Sequence, residues 1–149
     1  MKRERIKTIA YWMTTIFGPA SFAIGGIIGL TRGAAMLSEL AHLGYPAYFA
    51  TILGAWKLLG AIAIVAPRLP RLKEWAYAGF FFDLTSAAFS HASAGDDTGD
   101  TLAPVVFLAL VVASWALRPA SRKLPSVRAE SSEVALPAAG AINPIAARA

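Results

Sequence analysis

The segment YPAYFATILGAWKLLGAIAIVA, from Tyr45 to Ala66, decides the fold class of this chain. Lys57 is its one charged residue, and the run is long enough for an α-helix to cross the roughly 30 Å hydrocarbon core of a bilayer. Pro46 stands at the start of the run, where its missing N–H needs no partner, and Pro67 follows the end, where proline stops helix propagation. The segment therefore predicts a transmembrane helix over residues 45–66.

Three further apolar blocks of similar length predict helices over residues 9–30, 72–92 and 102–117. The first block follows a basic amino terminus, as in a signal peptide, but it is longer than a typical cleaved signal and we expect it to be retained. None of the blocks alternates polar and apolar residues as lipid-spanning barrel strands do. The sequence therefore predicts an all-α, four-helix transmembrane bundle with up-down-up-down connections.

Composition supports this class and excludes several kinds of chemistry. Hydrophobic residues make up 56% of the chain and charged residues 15%, whereas a soluble domain carries roughly a quarter charged residues. The chain contains 0 cysteines, which excludes disulfides, thiol chemistry and cysteine-ligated metal clusters within it. No nucleophile motif, phosphate loop or metalloprotease spacing occurs. These features favour a non-catalytic protein over an enzyme, and no catalytic residue is predicted.

Lysine and arginine are concentrated on one side of the predicted bundle. They occur before the first helix, between the second and third, and directly after the fourth, whereas Arg32 is the only basic residue in the other two connections. The positive-inside rule then places both termini in the cytoplasm. The net charge of +5 therefore reflects the basic residues that set the membrane orientation. The expected partner is the lipid bilayer and not nucleic acid.

The carboxyl-terminal part of the chain has a different composition. After residue 120 the apolar pattern gives way to proline, alanine, serine and scattered charge without a period. Such a composition buries too little apolar surface to form a packed element. We therefore expect a membrane domain over residues 1–120 and a disordered cytoplasmic tail over residues 121–149.

A series of motifs lies in residues 43–96, which read LGYPAYFATILGAWKLLGAIAIVAPRLPRLKEWAYAGFFFDLTSAAFSHASAGD. The motifs are Gly44-Tyr45-Pro46, Lys57-Leu58-Leu59-Gly60, Ser90-His91 and Gly95-Asp96. In this series the chain resembles the DoxX-like family of small bacterial four-helix integral membrane proteins. The family takes its name from a subunit of a membrane quinol oxidase and thiosulfate:quinone oxidoreductase system. The resemblance implies a multi-pass protein of the bacterial cytoplasmic (inner) membrane. It also implies a role as an accessory to a quinone-linked redox system, with a quinone as the candidate cofactor and a membrane protein as a candidate partner.

Lys57 and Asp83 each lie about midway along a predicted helix. A charge at the bilayer centre costs a few kcal/mol, so each is expected to face protein and to have a partner. At 100° per residue Lys57 shares a helix face with Gly54, and Asp83 shares one with Gly79, which allows the helices to approach closely. The sequence therefore predicts an intramembrane ion pair. The pair either fixes the packing of this helical hairpin or acts as a proton or substrate relay, and solvation of two unpaired charges by water is the third alternative.

A second group of candidates lies at the predicted outer boundary: Glu39, His42, His91 and Asp96. Imidazole and carboxylate groups there are candidates for contact with a ligand such as a quinone head group, and plain surface hydrogen bonding is the alternative. Their spacing matches no metal-binding motif. We therefore expect no metal site and no cofactor other than a quinone.

In the first helix, Ser21, Gly25 and Gly29 recur at four-residue spacing, with Gly26 beside them. Such a small-residue stripe either packs within the bundle or forms the face of a homo-oligomer.

Three functions remain open from the sequence. The leading one is a non-catalytic DoxX-like membrane protein that is accessory to a quinone-linked redox system. The second is a small proton-coupled transporter or channel that uses Lys57 and Asp83, and it requires a wet cavity reaching the pair. The third is a membrane scaffold that works through protein partners and requires neither a bound quinone nor a cavity.

Overall fold

The computed structural model describes residues 2–124, and the predicted tail from residue 125 to 149 lies outside the described residues. Within the described range the chain forms helices and turns without a β-strand, which confirms the all-α class. The α-helices are α1 (Lys2–Thr15), α2 (Phe22–Leu30), α3 (Ala34–His42), α4 (Tyr48–Val65), α5 (Pro70–Ala94) and α6 (Thr98–Leu117), and a 3₁₀ turn follows at Ala120–Arg122.

Three segments are long and apolar enough to cross a membrane. They are Lys2–Leu30, which comprises α1 and α2, then α4, and then α6. The remaining predicted span, 72–92, lies within α5. That helix is long, at 25 residues, but its basic start and the central Asp83 lower its hydropathy and it is not among the three.

The first predicted helix is interrupted in its middle. Residues Ile16–Ala20 form a π-helical segment in which Gly18 has non-helical backbone angles, φ −95° and ψ −112°. Pro19 follows directly and cannot donate the helical hydrogen bond, which is a recognised cause of a kink. The hydroxyl of Ser21 donates to the carbonyl of Gly18 at 2.7 Å and partly compensates for the disrupted ladder.

Helix α3 lies in a connection for which the apolar pattern predicted no helix. Its nine residues are too few to cross a membrane and include Ser38, Glu39 and His42, and only Leu40 among them is buried. A search for apolar blocks does not detect a helix of this kind. The start of α6 also precedes the predicted one, because the Asp97 side chain accepts a hydrogen bond from the backbone N–H of Asp100 at 3.1 Å and caps the helix.

Helix packing joins α2 to α4, α4 to α5, α5 to α6, and α6 back to α1. Neighbours run antiparallel, as α4 and α5 illustrate. Lys73 at the start of α5 reaches the carbonyls at the end of α4, whereas Ser90 near the end of α5 bonds to Tyr45, which precedes α4. The buried centre lies between α4, α5 and α6 and consists of Ala61, Ile64, Tyr77, Phe80, Leu84 and Val111.

Two glycines of the small-residue stripe in the first predicted helix, Gly26 and Gly29, pack against α4. A Cβ atom built on Gly54 of α4 would lie 2.7 Å from the carbonyl oxygen of Gly26, and one on Gly29 would lie 2.8 Å from the Cα of Gly54. Only glycine permits this distance between α2 and α4. Gly25, in contrast, faces open space.

Two basic side chains cap the carboxyl end of α4. Lys73, which the sequence places among the loop cations, is fully buried, and its Nζ donates to the carbonyls of Ala63 (2.8 Å), Ile64 (2.6 Å) and Ala66. Arg122 donates to the Ile64 and Val65 carbonyls, each at 3.2 Å. The last carbonyls of a helix lack helical partners and carry partial negative charge, so cations suit this end. The first residues of the predicted tail, 121–149, are therefore docked on the bundle.

Candidate functional site

A groove of about 760 Å³ lies between α4 and α5. It extends from Tyr45 and Ser90 at one end to Leu69 and Leu72 at the other, and most of its lining is apolar. Trp56 lines it and is 70% exposed, so the groove opens to the outside of the bundle. Gly79 in the lining has no atom within 4 Å of the position that a Cβ would take, and this contributes open space to the groove.

Lys57 and Asp83 lie in the middle of this groove. The structure places Nζ of Lys57 3.5 Å from Oδ2 of Asp83, with the two side chains 18% and 17% exposed. Phe22 of α2 supports the lysine from the other side, since its ring centroid lies 5.5 Å from Nζ. They are also the only charged side chains that line the groove in the described part of the chain.

The pair leaves one carboxylate oxygen incompletely satisfied. Oδ2 of Asp83 is buried, and within residues 2–124 it has no hydrogen-bond partner at normal distance, since Nζ of Lys57 lies 3.5 Å from it. A buried acceptor without a donor lowers stability, the more so when it is charged. The middle of the groove therefore combines the Lys57 ammonium group with the Asp83 carboxylate, one oxygen of which is buried, within an apolar lining.

The predicted outer-boundary residues form a second, separate group, the histidine–aspartate cluster of Glu39, His42, His91 and Asp96. Asp96 bridges the two histidines: its Oδ1 lies 2.6 Å from Nε2 of His42 and its Oδ2 lies 2.7 Å from Nδ1 of His91. Glu39 stands 3.6 Å from the other ring nitrogen of His91. The cluster therefore ties the end of α3 to the end of α5 and the turn before α6.

Charge interactions within the cluster shift two pKa values. The hydrogen bond to Asp96, and then its negative charge, raise the pKa of His42 above its usual 6.5. The hydrogen bonds from His42 and His91 lower the pKa of Asp96 below its usual 3.8. Protonated imidazole and ionised carboxylate thus stabilise each other at this exposed site.

The two candidate groups do not form one site. None of the four residues of the histidine–aspartate cluster lines the groove that contains Lys57 and Asp83. The cluster instead adjoins one end of that groove, where Leu40 and Leu43 line it and the Tyr45 hydroxyl lies 2.8 Å from that of Ser90. No group of three or more histidine, cysteine or acidic residues in the described chain is arranged to hold a metal ion.

A chain of buried hydroxyls was not predicted from the sequence. Ser114 of α6 lies 2.7 Å from the Thr15 hydroxyl and 2.8 Å from the Tyr77 hydroxyl, so that it joins α1, α5 and α6. Thr15 also donates to the carbonyl of Tyr11 at 2.7 Å. Each helix contributes a single polar residue, and such isolated residues form no periodic signal. These hydroxyls satisfy one another's hydrogen bonds, so the network they form holds the three helices together.

Comparison with known proteins gives one match. A sequence model of the DoxX-like family matches residues 5–114, which extend from α1 to most of α6 and include both the groove and the histidine–aspartate cluster. The resemblance first found in residues 43–96 is thereby confirmed over most of the chain. No curated protein and no solved structure matches the sequence.

Proposed function

We propose a function from the premise that this chain belongs to the DoxX-like family and is a membrane protein. In this proposal the protein is a non-catalytic accessory of a quinone-linked redox system, and it binds the quinone in the groove between α4 and α5. The observation that carries the proposal is the Lys57–Asp83 pair in the middle of an otherwise apolar groove. Ionisable residues inside a membrane segment are rare because they are costly, and they commonly mark functional sites.

The groove suits the two parts of a membrane quinone. Its volume, about 760 Å³, lies within the range of small-molecule pockets. The isoprenoid tail needs apolar walls, which the lining supplies along both helices. The head group needs a hydrogen-bond donor for its carbonyl oxygens, and the ammonium group of Lys57 supplies one at mid-groove.

The proposal includes a membrane topology in which α5 is the fourth span. Its 25 residues correspond to about 37 Å at 1.5 Å per residue, more than the hydrocarbon core requires. Two of the charges that lower its hydropathy face protein groups: Asp83 lies beside Lys57, and Lys73 donates to backbone carbonyls. With the basic residues on one side, the bundle runs up-down-up-down with both termini cytoplasmic.

Cysteine labelling tests this topology in a chain that has 0 native cysteines. Pro67→Cys and Thr98→Cys alter exposed residues on either side of α5, the first in the connection before it and the second at the first residue of α6. In intact cells an impermeant maleimide should label the Thr98 variant, and the Pro67 variant should be labelled only after permeabilisation. Labelling of both variants from outside would contradict a membrane-spanning α5.

Tryptophan fluorescence tests the binding itself. Trp56 and Trp75 line the groove, whereas Trp115 does not. A variant with Trp12→Phe and Trp115→Phe, reconstituted in nanodiscs, should show saturable quenching by a short-tailed quinone. The matched control keeps Trp115 as its only tryptophan and should show only linear quenching, as expected from partition into the bilayer. Linear quenching in both variants would refute the proposed site.

A proton-coupled transporter or channel is the second candidate. It is favoured by the buried Oδ2 of Asp83, an acceptor without a hydrogen-bond donor in the described residues. Such a function requires water to reach the pair from both faces. Proteoliposomes with an internal pH-sensitive dye distinguish the two: proton flux that Asp83→Asn abolishes would favour transport, and saturable quinone binding without flux would favour the accessory function.

A further inference from the structure

A second cavity, of about 360 Å³, lies between α5 and α6, with Glu74 and Trp115 at one end and Phe82 at the other. Apart from Phe82, this α5–α6 cleft and the groove between α4 and α5 have no lining residue in common within the described chain. We propose that the α5–α6 cleft binds an acyl chain of an anionic phospholipid of the cytoplasmic leaflet, and that Arg71 and Lys123 hold its phosphate group. Lipid binding at this cleft does not require the quinone groove and shares with the proposed function only the membrane topology of α5.

The cleft has the length and direction of one acyl chain. From Glu74 to Phe82 it extends about 12 Å along α5 at 1.5 Å per residue, whereas one leaflet contributes roughly 15 Å of hydrocarbon. In the proposed topology Trp115 lies at the cytoplasmic end, where an amphipathic indole ring suits the boundary between head groups and acyl chains. All described residues of the lining except Glu74 are uncharged. The cleft therefore runs from the head-group level toward the bilayer centre between apolar walls.

Glu74 adds no net negative charge to the cleft, because a cation of the chain compensates it. Its Oε1 lies 2.8 Å from Nη1 of Arg118, and its Oε2 accepts from the ring nitrogen of Trp115 at 2.9 Å. The Arg118 side chain is buried, and its guanidinium group lies over the rings of Tyr77 and Trp115. This ion pair therefore closes the polar end of the cleft and leaves it without net charge.

Two exposed cations lie beside this neutral pair. Arg71 precedes Glu74 by three residues and Ala78 by seven, so helical spacing places it on the face of α5 that lines the cleft. Lys123 follows α6, and its positive charge acts on the Glu74 carboxylate. Neither cation forms an ion pair or a side-chain hydrogen bond within residues 2–124. An anionic head group supplies the negative charge that the two cations lack, whereas a zwitterionic head group carries no net charge.

The size of the preference follows from the number of these cations. A basic residue near a membrane surface changes the affinity for anionic lipid roughly fivefold. We therefore expect the cleft to bind phosphatidylglycerol roughly fivefold to twentyfold more tightly than phosphatidylcholine with the same acyl chains. The preference should decline as the ionic strength rises, because both cations are exposed to solvent.

Quenching of Trp115 by lipids that carry bromine in their acyl chains tests this site. A variant with Trp115 as its only tryptophan is reconstituted in phosphatidylcholine nanodiscs that contain a fixed fraction of either brominated phosphatidylglycerol or brominated phosphatidylcholine. The brominated phosphatidylglycerol should quench Trp115 more strongly. A matched variant keeps only Trp56, which lies outside the cleft, and the two brominated lipids should quench it equally.

Variants without the cations test the phosphate contact. In the chain that keeps only Trp115, Arg71→Gln combined with Lys123→Gln should reduce the quenching by phosphatidylglycerol to that by phosphatidylcholine. Arg3→Gln combined with Arg5→Gln removes the same charge from exposed positions of α1 and should keep the preference.

Equal quenching of Trp115 by the two lipids would overturn the inference even where a charge variant folds poorly, and it would leave quinone binding intact. Stronger quenching by phosphatidylglycerol at Trp56 as well would show a general attraction of anionic lipid to the bundle and would overturn a specific site. A preference that persists without Arg71 and Lys123 would overturn the assigned phosphate contact.

Discussion

Lys57 and Asp83 each introduce a charge into a mostly apolar surrounding, and each is the nearest opposite charge of the other. The 3.5 Å separation and the low exposure of both side chains mean that neither is solvated as it would be in water. In such a setting the loss of one partner leaves an uncompensated charge, which destabilises more than the loss of both. The contribution of the pair to the free energy of unfolding can therefore be predicted without reference to any ligand.

Lys57→Met and Asp83→Leu should each lower the free energy of unfolding in detergent by about 3 kcal/mol. The double variant should recover part of this loss, because neither charge is then left without its partner. Thermal unfolding of the four proteins gives the coupling energy. Thr85→Val is a suitable control, since that hydroxyl is exposed and bonds only to carbonyls of its own helix. If the stability loss of the double variant equals the sum of the two single losses, the two charges do not interact.

The His42–Asp96 interaction predicts a pH dependence. Because the pKa of His42 is raised above 6.5, its contribution to stability is complete below that pH and is lost as the pH rises through the raised value. Asp96, whose pKa is lowered below 3.8, contributes above that pH and loses its contribution as the pH falls through the lowered value. His91, Glu39 and Asp100 are the other ionisable groups near the pair.

Between the two ordinary pKa values, 3.8 and 6.5, both contributions are complete and the cluster is most stable. The Tm of the wild-type protein should therefore decline from mildly acidic to alkaline pH more steeply than that of His42→Gln, which has no titrating ring at this position. The difference should be small, because the His42 side chain is 54% exposed. Parallel pH profiles for the two proteins would contradict the assigned interaction.

At the scale of elements, the carboxyl end of α4 depends on residues from two other parts of the chain. Lys73 begins α5 and Arg122 follows α6, and together they donate to carbonyls that the helix itself leaves without partners. In a membrane these carbonyls have little access to water, so their donors must come from protein. The cap thereby couples the end of α4 to the position of α5 and hence to the groove between them.

Replacing Lys73 by methionine should lower the free energy of unfolding by roughly 3 kcal/mol, because three carbonyls lose their donor. Arg71→Met is the matched control, since Arg71 is a basic residue of the same helical turn and is exposed. Its effect should stay within about 0.5 kcal/mol. Chemical or thermal unfolding in detergent measures both, and equal effects of the two changes would show that Lys73 does not cap α4.

The elements that could be predicted from sequence are those marked by apolarity. Helix α4 was predicted from its apolar run, and Lys57 and Asp83 were assigned to facing positions because helical spacing relates each to a face of small residues. Helix α3 could not be predicted in this way, since its function in the fold depends on one buried leucine and on polar contacts at its end.

Partners distant in sequence were beyond prediction for a different reason. Thr15 and Ser114 are 99 positions apart, and nothing in either segment indicates that their hydroxyls meet. Lys73 has the same charge as its exposed neighbours in the sequence, and only the position of the α4 carbonyls identifies it as a cap. A charge can be recognised in a sequence, but its partner is set by the packing of whole helices.

At the scale of the whole molecule, the bundle places an apolar groove with a charged centre on its surface. Internal contacts hold both of its walls: glycine packing positions α4 against α2, and hydroxyl and cationic contacts position α5 against α6 and the end of α4. The groove is therefore a fixed feature of the fold. The histidine–aspartate cluster closes the connections at one end of it.

Photoaffinity labelling with an azido-quinone tests the central claim, that the groove between α4 and α5 holds a quinone. Purified protein in nanodiscs is illuminated with the probe and digested, and the labelled peptides are identified by mass spectrometry. The label should fall on groove residues of α4 and α5, such as Trp56 and Phe82, and excess unlabelled quinone should suppress it. Label distributed equally over exposed residues of α1 and α6, or insensitive to competing quinone, would contradict the claim.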